Sequence, residues 1–304
     1  MESNTWCPRL TAAMILSGSA VQMKGLGSWL VCATKRLIVA WRSTTQRKTP
    51  RFSRCLASLA KNPSTALSHE QEVGVKWKAK ALFPRNLKRL MTDLEQICCE
   101  RAQVLMDADS ALDHVFFPDS GVVSVVAVYT DGAIIEMATV GREGFTDVQA
   151  VFGAKRSSVQ LLVQIPGTAV KMSRAAFIRA MQSMPAFRSV MDAYVQAFLE
   201  QVMVSVACNG AHSLKQRLAR WLLMMRDRSD GDTLLITQGL LAEMLGVQRP
   251  SISNATQELE RAGLIERGRR QVTILDRRAL TKASCECYQL VRSRLAFHLP
   301  KTYG

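Results

Sequence analysis

The chain contains no Cys-x-x-Cys pair. Its eight cysteines, Cys7, Cys32, Cys55, Cys98, Cys99, Cys208, Cys285 and Cys287, are scattered, and they do not form a local run of Cys and His ligands of the kind that builds a zinc framework. No metal and no cofactor are therefore expected, and the thiols read as reduced side chains, about half of them buried, in a reducing cytoplasm. Long apolar runs are also missing. Residues 10–23 carry no charge, but Lys24 ends the stretch before the roughly 18 residues a membrane span needs. The four histidines stand apart, with no nucleophile, base and orienting group at an informative spacing, so no enzyme is expected. Gly25-Leu26-Gly27 lacks the third glycine and the preceding strand of a dinucleotide loop.

Acidic residues are scarce only in places. The net charge of +15 on 304 residues divides into +13 over 1–90, −5 over 91–213 and +7 over 214–304. The first stretch is basic and Ser-rich without sustained apolar periodicity. It reads as a disordered extension over 1–84 or as an upstream start assigned in error, ahead of a secretory or transit signal. The informative contrast is the acidic middle against the basic C-terminal third, because Lys and Arg gathered on one domain can neutralise phosphates.

From Val104 to Met172 the pattern has period two, interrupted at strand-like intervals. Val115-Phe116-Phe117 stops at Pro118-Asp119-Ser120-Gly121. The run from Val122 to Tyr129 stops at Asp131-Gly132, and the next, from Ile134 to Val140, stops at Gly141. Asp-Gly between apolar runs is a hairpin signal, since glycine accepts positive φ. Short antiparallel strands with regular turns favour a roll or barrel over residues 85–184.

After Pro185, the residues Phe187, Met191, Tyr194, Phe198, Val202 and Ser205 recur every three or four. They predict an amphipathic helix over 185–211. Periodicity leaves open whether its apolar stripe packs only on its own domain or also on a second copy.

A helix from His212 to Met225 comes next, stopped by Asp227-Arg228-Ser229-Asp230-Gly231-Asp232. Thr237 then reads as an N-cap, Leu240, Leu241, Met244 and Leu245 form one apolar face, and Gly246 suits a helix stop. Pro250 fits a first helical turn, with Ile252, Ala255, Leu259 and Ala262 on one side and Pro250, Ser253, Asn254 and Gln257 on the other. Short hydrogen-bonding residues on the free side suit base edges better than they suit a solvated face, and a pair of core helices is the bland alternative. The segments Leu264-Ile265-Glu266-Arg267 and Gln271-Val272-Thr273-Ile274-Leu275 flank Gly268-Arg269-Arg270 as a basic hairpin.

Residues 113–123, the Val140-Gly141-Arg142-Glu143-Gly144 motif and the run from Leu234 to Leu280 resemble the Crp/Fnr family of bacterial transcription regulators, over about residues 85–290. The resemblance implies an α+β chain with a cyclic-nucleotide-binding-like β-roll at 85–184, a dimerisation helix at 185–211, a winged helix-turn-helix at 212–290 and a tail at 291–304. Nucleotide-binding members hold ribose with a Gly-Glu pair and phosphate with an Arg followed by Ser or Thr about ten residues on. Here Arg156-Ser157 remain as candidate effector contacts, but Thr146 stands ten residues earlier and Glu143 lies in a different setting. A cyclic nucleotide is not supported, and an ordinary structural arginine is the alternative for Arg156. His114, between apolar neighbours, reads as a hydrogen-bonded structural histidine.

The expected function is sequence-specific binding of double-stranded DNA by a cytoplasmic homodimer, with RNA polymerase contact as a further expectation and no membrane partner. The candidate DNA contacts are Thr237, Gln238, Gln248, Arg249, Ser251, Ser253, Asn254, Gln257, Arg267, Arg269 and Arg270. Arg249 matches a family arginine at the start of the reading helix, whereas Pro250 replaces a Glu and Asn254 replaces a second Arg. That altered surface motivates the alternative, a ligand-sensing or partner-binding module that no longer binds DNA. A redox or metal handle at Cys285-Glu286-Cys287 is the lesser alternative to ordinary thiols: its spacing is poor for a disulfide, and the N-terminal cysteine cluster of the iron–sulfur branch is absent.

Overall fold

A computed structural model describes Leu90 and residues 92–299. The expected extension over 1–84, with Cys7, Cys32, Cys55, the 10–23 stretch and Gly25-Leu26-Gly27, lies outside the described residues. The period-two segments become antiparallel strands: β1 (Leu94–Cys99), β2 (Val104–Met106), β3 (His114–Pro118), β4 (Val122–Val128), β5 (Ile134–Val140), β6 (Gln160–Ile165) and β7 (Gly167–Ser173). They form two sheets ordered β1-β7-β3 and β2-β6-β4-β5. The Asp131-Gly132 hairpin forms as its sequence predicts, with the Tyr129 amide donating to the Ala133 carbonyl and Gly132 at φ 81°. Pro166-Gly167 carries the chain from one sheet to the other. A Cβ at Gly167 would collide with the Ser120 carbonyl, and one at Gly121, at φ 77°, with the Ile165 carbonyl. β1 was not expected. It is only partly buried and owes its place to a six-residue register with β7, far along the chain.

A 3-10 turn, Val148–Phe152, and helix α1 (Arg174–Ser183), capped by Ser173, lead to α2 (Pro185–Ala211), a 27-residue helix with proline in its first turn. Rings tie α2 to the roll. Phe117, Phe145 and Phe177 lie within 6.4 Å of one another by centroid, and Tyr194 of α2 reaches Phe145 at 5.0 Å. Each ring is buried, which stabilises the junction by roughly 1.5–3 kcal/mol per Phe side chain. Gly144 lies under the Tyr194 ring so closely that any side chain there would overlap it.

A capping box of Ser213 and Gln216 starts α3 (Leu214–Arg228). There follow β8 (Thr233–Leu234), α4 (Gln238–Leu245), α5 (Arg249–Arg261), β9 (Ile265–Gly268), β10 (Gln271–Ile274), α6 (Arg277–Ala283) and α7 (Cys287–His298), with a small sheet ordered β8-β10-β9. Helix α7 runs across the boundary expected at 290. Tyr288, Val291 and Leu295 recur on one face and are buried, and Glu200 of α2 meets His298 at 3.1 Å and Arg294 at 3.5 Å.

The C-terminal helices dock on the outer face of β5. Trp221 Nε1 donates to Glu136 at 2.7 Å, Ser124 donates to the same carboxyl, and Gln164 Nε2 lies 2.6 Å from Met244 Sδ. This covering explains why β4 is buried over five consecutive residues instead of alternating. Among the described residues no helix is long and apolar enough to cross a membrane.

Candidate functional site

Thr237 accepts a hydrogen bond from the Leu240 amide at 3.2 Å and starts α4, which Gly246 ends at φ 63°. Leu241, Ala242, Met244 and Leu245 are buried, and Leu240 packs partly buried against the same core. The turn Gly246-Val247-Gln248 delivers the chain to α5, with Pro250 in its first turn. Helix α5 buries Ile252, Ala255 and Leu259 as expected. Ala262, expected on the same side, is instead the exposed C-cap, and Thr256 takes the fourth inward place with its hydroxyl donating to the Ile252 carbonyl at 2.8 Å. A small β-branched side chain can bury its hydroxyl on its own helix without an outside partner.

The other face of α5 is open. Gln248, Arg249, Ser251 and Asn254 are exposed, and Ser253 and Gln257 are half-buried. Gln238 is exposed at the start of α4, while Thr237 is half-buried with its oxygen engaged in the cap. The expected basic hairpin is β9–β10, paired from Ile265 with Ile274 to Gly268 with Gln271. Arg269 and Arg270 lie exposed at its tip, where Arg270 takes a left-handed φ of 63°. Arg267 is placed differently. Its Nε donates to Glu260 at 2.6 Å and its amide to the same carboxylate at 3.0 Å, so it joins the wing to α5. These bonds hold the Glu260 carboxyl below the usual range. Arg101, between β1 and β2, was not singled out by sequence. Burial, and then the neighbouring Arg270 cation, lower its pKa.

The candidate effector residues Arg156 and Ser157 each hydrogen-bond within the roll. Ser157 is 1% exposed and donates to the Asp147 carboxylate at 2.7 Å, and the Arg156 guanidinium donates to the Asp109 carbonyl. Burial pushes Asp147 up to about 6, against the Ser157 hydrogen bond. An anion seated at Ser157 would meet this carboxyl. Glu143 forms a buried ion pair with Arg228 of α3 at 2.7 Å. His114 is half-buried at the start of β3, 6.4 Å from the Phe116 ring.

Four cysteine and histidine side chains meet across the fold. Cys208 and His212, four apart at the end of α2, meet Cys285 and Cys287 at the start of α7, with all four ligand atoms within 4.8 Å of one another. Sequence spacing could not disclose this, because the halves lie more than seventy residues apart. The local signals are Cys285-Glu286-Cys287 and Cys208-x-x-x-His212, the second of which puts two ligands on one face of a helix.

Residues 216–283 match the family model of the Crp-like helix-turn-helix domain. No curated protein matches the chain. Among solved structures, FixK2 from Bradyrhizobium japonicum superposes with a TM-score of 0.55 at 15% identity, covering 63% of this chain and 98% of that one. A Crp/Fnr-family transcriptional regulator from Eubacterium rectale gives 0.55 at 16% identity, over 66% of this chain and 94% of its own. A CRP-family regulator from Thermus thermophilus gives 0.53 at 20%, over 62% and 96%. These likenesses establish the fold, a β-roll, a long helix and a helix-turn-helix in one order. The chain thus carries a Crp-like helix-turn-helix domain at 216–283 within a fold shared with solved Crp/Fnr-type regulators.

Proposed function

We propose that the protein acts as a homodimer that binds a two-fold DNA site through α5 and the β9–β10 wing. The observation that carries this reading is the exposed face of α5, where Arg249, Ser251 and Asn254 present donors and acceptors to solvent while Ile252, Ala255 and Leu259 anchor the helix. An asparagine on such a face can pair bidentately with adenine in the major groove. Gln248, Arg249, Ser251, Ser253, Asn254 and Gln257 meet base edges or nearby phosphates. Thr237, Gln238, Arg269 and Arg270 hold the backbone, and Arg267, tied to Glu260, orients the wing.

The dimer rests on a stripe of α2 that the other described residues leave bare. Leu199, Met203 and Val206 are 44%, 66% and 69% exposed, and they follow the helical period along one side. Two copies joined there would set their reading helices about 34 Å apart, one turn of duplex. RNA polymerase stands among the partners on the family resemblance alone.

Selection of bound duplexes from a random pool by the full chain tests the proposal. The expected product is an inverted repeat with half-sites about ten base pairs apart. A pool that yields no enriched sequence would overturn it and favour the partner-binding alternative. That alternative draws support from α4, which lies against β5 with Gly246 over Ile135 and so ties the reading domain to the roll.

A further inference from the structure

The three buried thiols of the C-terminal half do not join the main core. Cys208, Cys285 and Cys287 form a cluster of their own, with Val204 as the partly buried apolar residue packed against it. Apolar filling would have placed them among the leucines, so their mutual contact asks for another cause.

The geometry is that of a coordination shell. Cys208 Sγ and Cys285 Sγ are 3.4 Å apart, and Cys287 Sγ lies 3.6 Å from His212 Nδ1. A sulfur pair at 3.4 Å is well beyond a disulfide bond of about 2.05 Å. It approaches the edge of about 3.8 Å that two thiolates span when each is about 2.3 Å from a tetrahedral zinc ion. His212 shows the supporting contact such ligands carry, since its other ring nitrogen, Nε2, lies 3.2 Å from the Glu286 carboxylate. That partner fixes the ring and leaves Nδ1 free of a proton to ligate.

The surroundings suit the charge. Three thiolates and a neutral imidazole around a divalent ion leave one net negative charge, and the buried Arg220 and half-buried Arg217 stand close enough to act on Cys208. The Nε atoms of both arginines are buried without a hydrogen-bond partner. Cys287 opens α7, where the positive end of a twelve-residue helix favours a thiolate.

We infer that Cys208, His212, Cys285 and Cys287 bind a single tetrahedral zinc-class cation, which clamps the C-terminal end of α2 to the start of α7. The clamp sits at the joint where α2 gives way to α3, so it fixes the reading domain's root to the helix that carries the proposed dimer stripe.

The test uses the full chain, reduced, with zinc and then cobalt(II) as probes. One zinc per chain should survive gel filtration. Cobalt(II) should give the visible bands of a tetrahedral site together with thiolate-to-metal charge transfer. Replacing Cys7, Cys32 and Cys55 together with serine should leave both results unchanged. Cys285→Ser should weaken zinc by more than about 100-fold, the upper end of what losing only an outer-sphere partner costs. Because that variant could lose its fold, the unmutated chain supplies a second readout. Alkylation of Cys208, Cys285 and Cys287 should be slow with zinc bound and at least tenfold faster after chelation. Absence of zinc from the reduced chain, loss of the metal in the Cys7/Cys32/Cys55 variant, or alkylation indifferent to zinc would each overturn the assignment.

Discussion

Arg228 Nε lies 2.7 Å from Glu143 Oε1, with the two side chains 2% and 1% exposed, and this pair joins the loop after β5 to the end of α3. The same guanidinium donates to the Gln201 side chain at 3.2 Å and to the Met224 carbonyl at 3.1 Å, while Glu143 accepts the Gly141 amide at 3.1 Å. Roll, long helix and reading domain thus meet at one buried charge.

Removing one partner leaves the other charge buried and unanswered. Arg228→Ala should therefore cost about 3–5 kcal/mol, read as a lower urea midpoint. Combining it with Glu143→Leu should recover much of that loss, because the penalty belongs mainly to the orphaned carboxylate. A double variant as unstable as the single one would refute this account.

Glu136 gives a pH dependence of definite sign. Burial pushes its carboxyl up to about 7 against the hydrogen bonds from Ser124 and Trp221. The folded chain then keeps a proton that the unfolded chain releases, so stability is full below the ordinary carboxylate pKa and falls as pH rises through about 7. The fall attributable to this group is at most about 3 kcal/mol. Glu136→Gln should remove that part of the slope, leaving the variant more stable than the native protein at pH near 8. Parallel stability profiles for the two proteins, from urea unfolding across this range, would show that Glu136 ionises normally.

On DNA, Asn254→Ala should cost about 1–3 kcal/mol on the selected site and little on random duplex. Arg269→Ala should weaken both and reduce the slope of affinity against salt by about one contact. Equal losses of Asn254→Ala on the two sequences, measured by fluorescence anisotropy, would remove it as a base reader.

Met203→Asp sets a charge in the middle of the bare α2 stripe, with no effect expected on the folding of the isolated chain. Sedimentation should show a monomer where the native protein is a dimer, and affinity for a full two-fold site should drop toward that for a half-site. A dimer unaffected by the change would place the interface elsewhere.

What was legible in the sequence is local. Thr237, Gly246 and Pro250 mark helix ends through their own backbone chemistry, and Asp131-Gly132 marks a hairpin because its turn needs positive φ. Features that depend on distant partners were not legible. Leu94–Cys99 becomes a strand only against β7, and the last helix becomes part of the fold through Glu200. Glu143 could be seen as a remnant motif, but its role follows from an arginine 85 residues away. The same limit hid the meeting of Cys208 and His212 with Cys285 and Cys287.

Gly144 under the Tyr194 ring leaves the loop after β5 no slack against the long helix. A shift of that loop by even a fraction of an ångström must tilt Tyr194 or break its packing, and the neighbouring Glu143 would drag Arg228 with it. One short elbow of four residues, 141–144, is thus shared by the roll, the long helix and the end of α3, so none of the three can be displaced there without the other two.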